Sequence, residues 1–304
     1  MELGMIGLGR MGANMAQRLQ RGGLEVTGFD PGAEARARLA AAGGATADSL
    51  EALVQALPSP RVLWLMVPAE AVDPVLEQLL PLLAPGDLVV DGGNSWYRHA
   101  ARRAQRCGQA RVAFVDCGTS GGVWGLEEGY CLMLGGEAAA LARLRPALQA
   151  LAPAADRGWA HVGPVGAGHF CKMVHNGIEY GMMQAYAEGF ALMQKKQEFE
   201  LDLAQVAEVW RHGSVVRSWL LDLSAEALQR NPGLEGIAPY VQDSGEGRWT
   251  VNEAIELEVS APVITLSLLE RLRSRESNSF ADRLLAQMRS GFGGHAVKAA
   301  NDGP

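Results

Sequence analysis

The strongest constraint on this chain lies near its start, where Gly7-Leu8-Gly9-Arg10-Met11-Gly12 joins the apolar run Leu3–Ile6 to the amphipathic segment Arg10–Arg21. Glycines at this spacing, at a strand-to-helix junction, have a mechanical reading. Gly7 permits a tight turn, Gly9 lets the backbone approach a pyrophosphate, and Gly12 lets the helix pack closely. The helix N-terminus then offers unpaired N–H groups to the anion. In isolation such a turn is a weak signal; at a first strand-helix junction it predicts a dinucleotide site built from Gly7, Leu8, Gly9, Arg10, Met11 and Gly12.

The rest of the first half keeps the alternation. Glu25–Phe29, Val62–Val67, Leu88–Asp91, Phe114–Cys117 and Tyr130–Leu134 read as strands, and Ala33–Ala42, Ala69–Leu83, Tyr97–Cys107 and Glu137–Leu151 as helices. Strand and helix in turn mean parallel pairing with helices on both faces, so the expected fold is an α/β Rossmann-type doubly wound N-terminal domain. Ligands bind such sheets at the carboxyl ends of the strands. Beyond Trp159–Val162 the turn Gly163-Pro164-Val165-Gly166 closes this pattern, and the remainder reads as helix. The expected domains are therefore a dinucleotide-binding domain over 1–163 and an all-α C-terminal domain over 164–304, for catalysis and oligomerisation, ending in a Gly-rich tail from Gly291. Asp30 ends the second strand, where a carboxylate accepts from a ribose 2′-hydroxyl and repels a 2′-phosphate. NAD is the expected cofactor; Arg36 and Arg38 leave NADP open, and Asp30-Pro31-Gly32 also reads as plain turn chemistry.

The 304 residues carry a formal charge of -7, which removes the broad basic surface a nucleic-acid binder uses. An anionic substrate must then be held by local cations. The four cysteines show no C-x-x-C spacing and no zinc-ligand pattern, so reduced thiols and no metal are expected. The apolar stretch Met173 to Met193 contains His175, Asn176, Glu179 and Glu188, which makes it a poor membrane span. With no signal-peptide pattern at Met1, a cytoplasmic protein is expected.

From Phe170 onward, Lys172, His175, Asn176 and Glu179 fall at i, i+3, i+4 and i+7 on one helix face, while Met173, Val174, Gly177, Ile178, Gly181, Met182 and Ala185 occupy the rest. A polar stripe is usually the wet side of a surface helix. Here the apolar remainder predicts a helix buried nearly all round, and burying an ammonium and a carboxylate costs on the order of several kcal/mol each. The stripe is therefore expected to line a cleft, with Lys172 as base and Glu179 as acid; a structural ion pair is the competing reading. A lone histidine on such a face is more often a hydrogen-bonded core residue; His175 and Asn176 would orient hydroxyls, and no proton transfer is expected of His175. The loops after Leu88–Asp91 and Phe114–Cys117, Asp91-Gly92-Gly93-Asn94-Ser95 and Gly118-Thr119-Ser120-Gly121-Gly122, would add Asn94, Ser120 and backbone N–H groups at neighbouring strand ends.

Taken together, Gly7–Gly12, Asp91–Asn94, Ser120-Gly121-Gly122 and Lys172-Met173-Val174-His175-Asn176-Gly177-Ile178-Glu179-Tyr180 resemble the decarboxylating 6-phosphogluconate dehydrogenases, within the β-hydroxyacid dehydrogenases. The resemblance implies that Lys172 takes the proton of the C3 hydroxyl and that Glu179 protonates C1 after CO2 leaves. It implies further that Asn94, Ser120, Gly121, Gly122, His175 and Asn176 position the sugar acid, that Tyr180 contacts its phosphate, and that Val67 and Asn94 face the cofactor. Arg289 and His295 would reach the phosphate bound by a neighbouring subunit, so a homo-oligomer, dimer or tetramer, is implied. The chain is similar to a short form of the family, without the second helical half of its long members. The family's lysine-bearing phosphate loop is here Asp243–Thr250, without a lysine; whether Arg248 replaces it, and whether Arg273 or Arg275 is the phosphate arginine, the sequence leaves open. Two other readings compete: a non-decarboxylating NAD-dependent 3-hydroxyacid dehydrogenase, similar to 3-hydroxyisobutyrate dehydrogenase, and a catalytically silent dinucleotide sensor.

Overall fold

The computed structural model describes residues 1–293 and 296–298. It divides into two compact units, 1–177 and 178 onward. The first unit is an eight-stranded sheet in the order β3-β2-β1-β4-β5-β6-β7-β8. Its elements are β1 (Glu2–Ile6), α1 (Arg10–Arg21), β2 (Glu25–Phe29), α2 (Ala33–Ala41), β3 (Ala45–Thr46), α3 (Leu50–Ala56), β4 (Val62–Leu65), α4 (Ala69–Leu79), β5 (Leu88–Asp91) and α5 (Ala100–Gln109). There follow β6 (Ala113–Ser120), the short α6 (Gly125–Glu128), β7 (Cys131–Gly136), α7 (Ala138–Leu151) and β8 (Trp159–Gly163). All neighbours are parallel except β6 and β7, which form an antiparallel pair.

Covering helices explain why the central strands read as unbroken apolar runs: β4 and β5 are buried at every residue because both faces are packed. Alternate residues feed different cores. Leu3, Met5, Val62, Trp64, Leu88 and Val90 join Met15 and Leu19 of α1 and Leu144 and Leu148 of α7 on one face. Ile6, Leu63, Leu65 and Val89 join Leu53 of α3, Val72 and Leu76 of α4 and Cys107 of α5 on the other. This period-two division fixes the register, since a slip of one residue would exchange the faces.

Four expectations need correction. The alternation was read without β3 and α3; β3 is an edge strand of two residues, too short to show a period, while α3 is started by Ser49, whose hydroxyl accepts from Ala52 N–H. Gly118, Thr119 and Ser120 belong to β6 rather than a loop, because pairing with β7 extends to Ser120 opposite Cys131. The tail does not begin at Gly291, since the last helix runs to Gly293. The fourth concerns α8 (Ala167–Lys195), which carries the polar stripe. It is buried at Met173, Gly177, Tyr180 and Gly181, but Ile178, Met182, Met183 and Ala185 are exposed, so no neighbour covers the apolar flank throughout.

The second unit continues α8 and adds α9 (Leu203–Arg211), α10 (Trp219–Arg230), α11 (Glu246–Glu256), α12 (Pro262–Arg273) and α13 (Phe280–Gly293). Among the described residues it contains no strand, as expected for an all-α C-terminal part. Asp202 and Ser218 cap α9 and α10 through their side chains. Its core is small: Ala207, Leu221, Ala225 and Leu228, with Tyr186, Phe190 and Trp210 packed on them. Many large apolar side chains stay exposed, among them Leu192, Phe199, Val209, Ile255 and Leu266. No helix among the described residues is long and apolar enough to cross a membrane.

Candidate active site

The glycine-rich turn has the geometry its spacing predicts. Gly7 has φ of 93°, and a Cβ there would lie 2.5 Å from Met66 O; at Gly12 it would lie 2.0 Å from Gly7 O. Gly9 faces open space, with nothing within 4 Å of its Cβ direction. Gly9 is also the N-cap of α1, which has no side-chain cap and no acid in its first turn. The N–H groups that open α1 are thus left for an anionic ligand, and the cradle fits a dinucleotide. Arg10 is exposed and Met11 half-buried beside it.

Asp30 does more than turn chemistry. Its Oδ2 accepts from Leu8 N–H at 2.8 Å, tying the end of β2 to the glycine-rich turn, while Oδ1 accepts from Gly32 N–H at 2.8 Å. Arg36 is occupied: Nη1 donates to Asp30 O at 2.7 Å and to Pro31 O at 3.2 Å, and Nε lies 3.5 Å from Asp48. Arg38 is exposed.

Strand ends converge beside this turn. Val67, just beyond β4, bridges two of the predicted segments: its Cγ1 is 2.9 Å from a Cβ built on Gly7, and its carbonyl 2.6 Å from one built on Gly93. Asn94 follows at the surface. Thr119 Oγ1 donates to Gly92 O at 3.4 Å, joining the ends of β5 and β6. Tyr97 meets Phe170 of α8 edge to face, centroids 5.2 Å apart.

At the end of β6 the structure brings Ser120, Lys172, His175 and Asn176 together. His175 Nε2 is 3.4 Å from Ser120 Oγ; its Nδ1 is 3.0 Å from Asn176 Oδ1 and 3.4 Å from Lys172 Nζ. The Nδ1 atom can donate to Asn176 Oδ1 or accept from Lys172 Nζ, but not both, so the ring tautomer decides which of the two contacts is a hydrogen bond. Gly121 and Gly122, at φ of 135° and 54°, turn the chain away after Ser120 in conformations that glycine tolerates. Lys172 and its stripe partners are half-buried, not enclosed, so the desolvation inferred from sequence is overstated. Glu179 is also half-buried, two helical turns along α8.

In the second unit the phenol of Tyr180 is buried and donates to Asp243 Oδ1 at 3.5 Å. Gly247 packs on its ring, and the Arg271 guanidinium lies 3.4 Å from the ring centroid. Arg248 is ion-paired with Asp243. Burial opposes the charge on Asp243, but Gly245 N–H, Arg248 and Arg275 outweigh it and hold the carboxyl below its usual range. Arg273 is committed to Asp282 and Glu276. Arg275 Nε donates to Val241 O at 3.1 Å, whereas its buried Nη2 has no acceptor among the described residues. Arg271 was missed in the sequence because no motif marks it; its spacing from Arg275, i to i+4, was the available signal. Arg289 is exposed on α13, and His295 lies outside the described residues. No group of three or more potential metal ligands occurs among the described residues.

A dinucleotide cradle on a mostly parallel sheet, with a lysine and a strand-end serine each against one histidine, defines a nicotinamide-dinucleotide-dependent dehydrogenase. The chain belongs to the 6-phosphogluconate dehydrogenase family: residues 2–163 match the NAD binding domain of 6-phosphogluconate dehydrogenase and 168–291 its C-terminal domain. It is 47% identical, over 99% of its length and 100% of the relative's, to the NAD(+)-dependent, decarboxylating 6-phosphogluconate dehydrogenase of Haloferax volcanii. The solved 6-phosphogluconate dehydrogenase of Plasmodium falciparum superposes with a TM-score of 0.83 at 27% identity, covering 100% of this chain and 67% of that one. A 3-hydroxyisobutyrate dehydrogenase of Salmonella typhimurium superposes at 0.76 with 23% identity over 91% of this chain and 95% of its own, a likeness of fold.

Proposed function

We propose that this chain catalyses the oxidative decarboxylation of 6-phosphogluconate to ribulose 5-phosphate and CO2, with NAD preferred over NADP. The observation that carries the reading is the cluster at the end of β6, where Lys172 approaches a serine through His175 beside the dinucleotide cradle. Gly7 to Gly12 and the first turn of α1 would hold the pyrophosphate, Asp30 the adenosine ribose, and Val67 and Asn94 the nicotinamide end. When bound, NAD supplies the acceptor for the hydride leaving C3. Lys172, as the amine, takes the C3 hydroxyl proton, and Ser120, His175 and Asn176 orient the neighbouring hydroxyls. After CO2 leaves the 3-keto acid, Glu179 delivers a proton to C1 of the enediol. Gly121 and Gly122 line the same strand end.

Two observations support the finer assignments. Asp30 sets an anion at the ribose end while Arg36 is already bonded, which favours the unphosphorylated ribose of NAD. In the second unit, the unpaired Nη2 of Arg275 and the Arg271–Tyr180 stack have the chemistry for a substrate phosphate. Arg289 and His295 of a second copy would complete it, in a cytoplasmic homo-oligomer. The test is NADH formation with 6-phosphogluconate and one CO2 captured per NADH. Reduction only with unphosphorylated 3-hydroxy acids would move the chain to the 3-hydroxyisobutyrate type, and no reduction with either would leave a dinucleotide sensor.

A further inference from the structure

Asp91, the last residue of β5, and Asp116, within β6, are partners in register where the parallel pairing of the two strands ends, so their side chains share one face of the sheet. Both are fully buried. Two carboxylates so placed repel each other unless each has its own donors, and each does. Asp91 accepts from Arg103 Nη1 at 2.8 Å and from Ser95 Oγ at 3.2 Å. Asp116 accepts from Gly166 N–H at 2.6 Å and His169 N–H at 2.9 Å, the N–H groups that open α8. Helix ends are ordinarily capped by the residue just before them; here a strand supplies the cap. His169 meets both acids, since its ring Nε2 lies 3.3 Å from Asp91 Oδ2, close but not aligned as a hydrogen bond. Around this turn there is no slack: a Cβ on Gly168 would lie 2.4 Å from Met133 O, and one on Gly135 2.5 Å from Asp116 Oδ1.

We propose that Asp91, Asp116 and His169 are positioning residues that clamp the first turn of α8 to the end of β5 and the middle of β6, and so set the depth of Lys172. Lys172 stands one turn beyond His169 on the same helix face, so a shift of that turn is transmitted to the lysine. Ser95 extends the clamp to the loop bearing Asn94. The two acids are tuned apart. Burial pushes both carboxyls up; at Asp116 it prevails over His169 and the N–H donors, whereas at Asp91 His169, Arg103 and Ser95 outweigh it. A sheet needing only stability has cheaper choices at two buried strand positions, since apolar side chains there require no partners.

The inference rests on Lys172 being the base, and the test separates the two. Full-length Asp116→Asn, His169→Leu and His169→Gln are compared with Asp87→Asn, a buried acid at the opposite end of β5 that holds Arg61 and Ala84 N–H. Measured are kcat and KM for 6-phosphogluconate, the Kd for NAD, the melting temperature and the primary isotope effect with substrate deuterated at C3. In Asp116→Asn and His169→Leu, kcat should fall by about tenfold or more with little change in NAD affinity. The isotope effect should rise, because proton and hydride removal become slow. His169→Gln, which keeps a donor toward Asp91, should recover to within about threefold of the parent. Asp87→Asn should lose stability and keep its kcat. Unchanged kcat and isotope effect in folded Asp116→Asn, failure of glutamine to rescue, or an equal kcat loss in Asp87→Asn overturns the proposal. If His169→Leu does not fold, the isosteric Asp116→Asn carries the same expectation. A Lys172→Met variant that still turns over removes the base and the clamp's purpose together; an inactive one beside an unimpaired Asp116→Asn refutes the clamp alone.

Discussion

Gly118→Ala tests the site through a single methyl group. A Cβ at Gly118 would lie 2.5 Å from Lys172 Cβ and 2.5 Å from Gly168 O, where carbon atoms ordinarily approach to about 3.5–4.0 Å. The strand resists displacement, because β6 is paired with β7 at Gly118 itself, opposite Met133, and with β5 as far as Asp116, two residues earlier. The first turn of α8 must therefore retreat by about 1 Å or more to restore van der Waals contact. Overpacking of this kind costs about 1–3 kcal/mol, which lowers the melting temperature by about 2–4 °C for each kcal/mol in a chain of this size. With a starting stability of about 5–15 kcal/mol, nearly all of the protein stays folded at 25 °C. A displacement of about 1 Å from attack geometry, by contrast, costs about a hundredfold in rate. Steady-state NADH assays on thermally checked protein should thus show a loss of kcat far beyond any unfolded fraction, with NAD affinity retained because the glycine-rich turn lies on β1 and α1. A folded Gly118→Ala variant with the parental kcat would show that the depth of Lys172 does not limit the reaction.

Lys172→Met should keep NAD binding and abolish turnover, and Glu179→Gln should chiefly slow proton delivery to C1; substantial NADH production by the methionine variant removes the base assignment. Asp30→Ala should shift the NADP-to-NAD ratio of kcat/KM upward by about tenfold or more, since the anion at the ribose end is gone; an unchanged ratio means another residue reads the ribose. For Arg271→Met, the KM for 6-phosphogluconate should rise about tenfold or more with kcat much less affected, as expected for loss of a charge-assisted phosphate contact, and an unaltered KM places the phosphate elsewhere. The exposed apolar residues of the second unit, including Val209 and Ile255, predict a homo-oligomer; a monomer by light scattering at micromolar concentration contradicts this.

Much of the first unit was legible because its signals are local. The spacing of Gly7, Gly9 and Gly12 carries its own geometry, and Val62 to Leu65 announced a strand packed on both faces. Lys172, His175 and Asn176 were recognisable as one stripe because helical periodicity gathers them before any tertiary contact forms. Two acids in apolar runs, Asp91 at the end of one and Asp116 within another, were the visible hint of the clamp, but their partners Arg103, Gly166 and His169 lie 12 to 53 residues away.

Periodicity and turn chemistry in the sequence determined the dinucleotide cradle, the parallel sheet and the residue types of the polar stripe, since each depends on neighbours within a few positions. Only the tertiary structure decided that Ser120 ends a strand and meets His175, that Asp30 ties β2 to Leu8, and that Arg271 covers Tyr180. It also decided that α8 keeps an exposed apolar flank at Ile178 and Met182. These are contacts between segments distant in the chain, set by sheet order and helix packing, which no local pattern encodes.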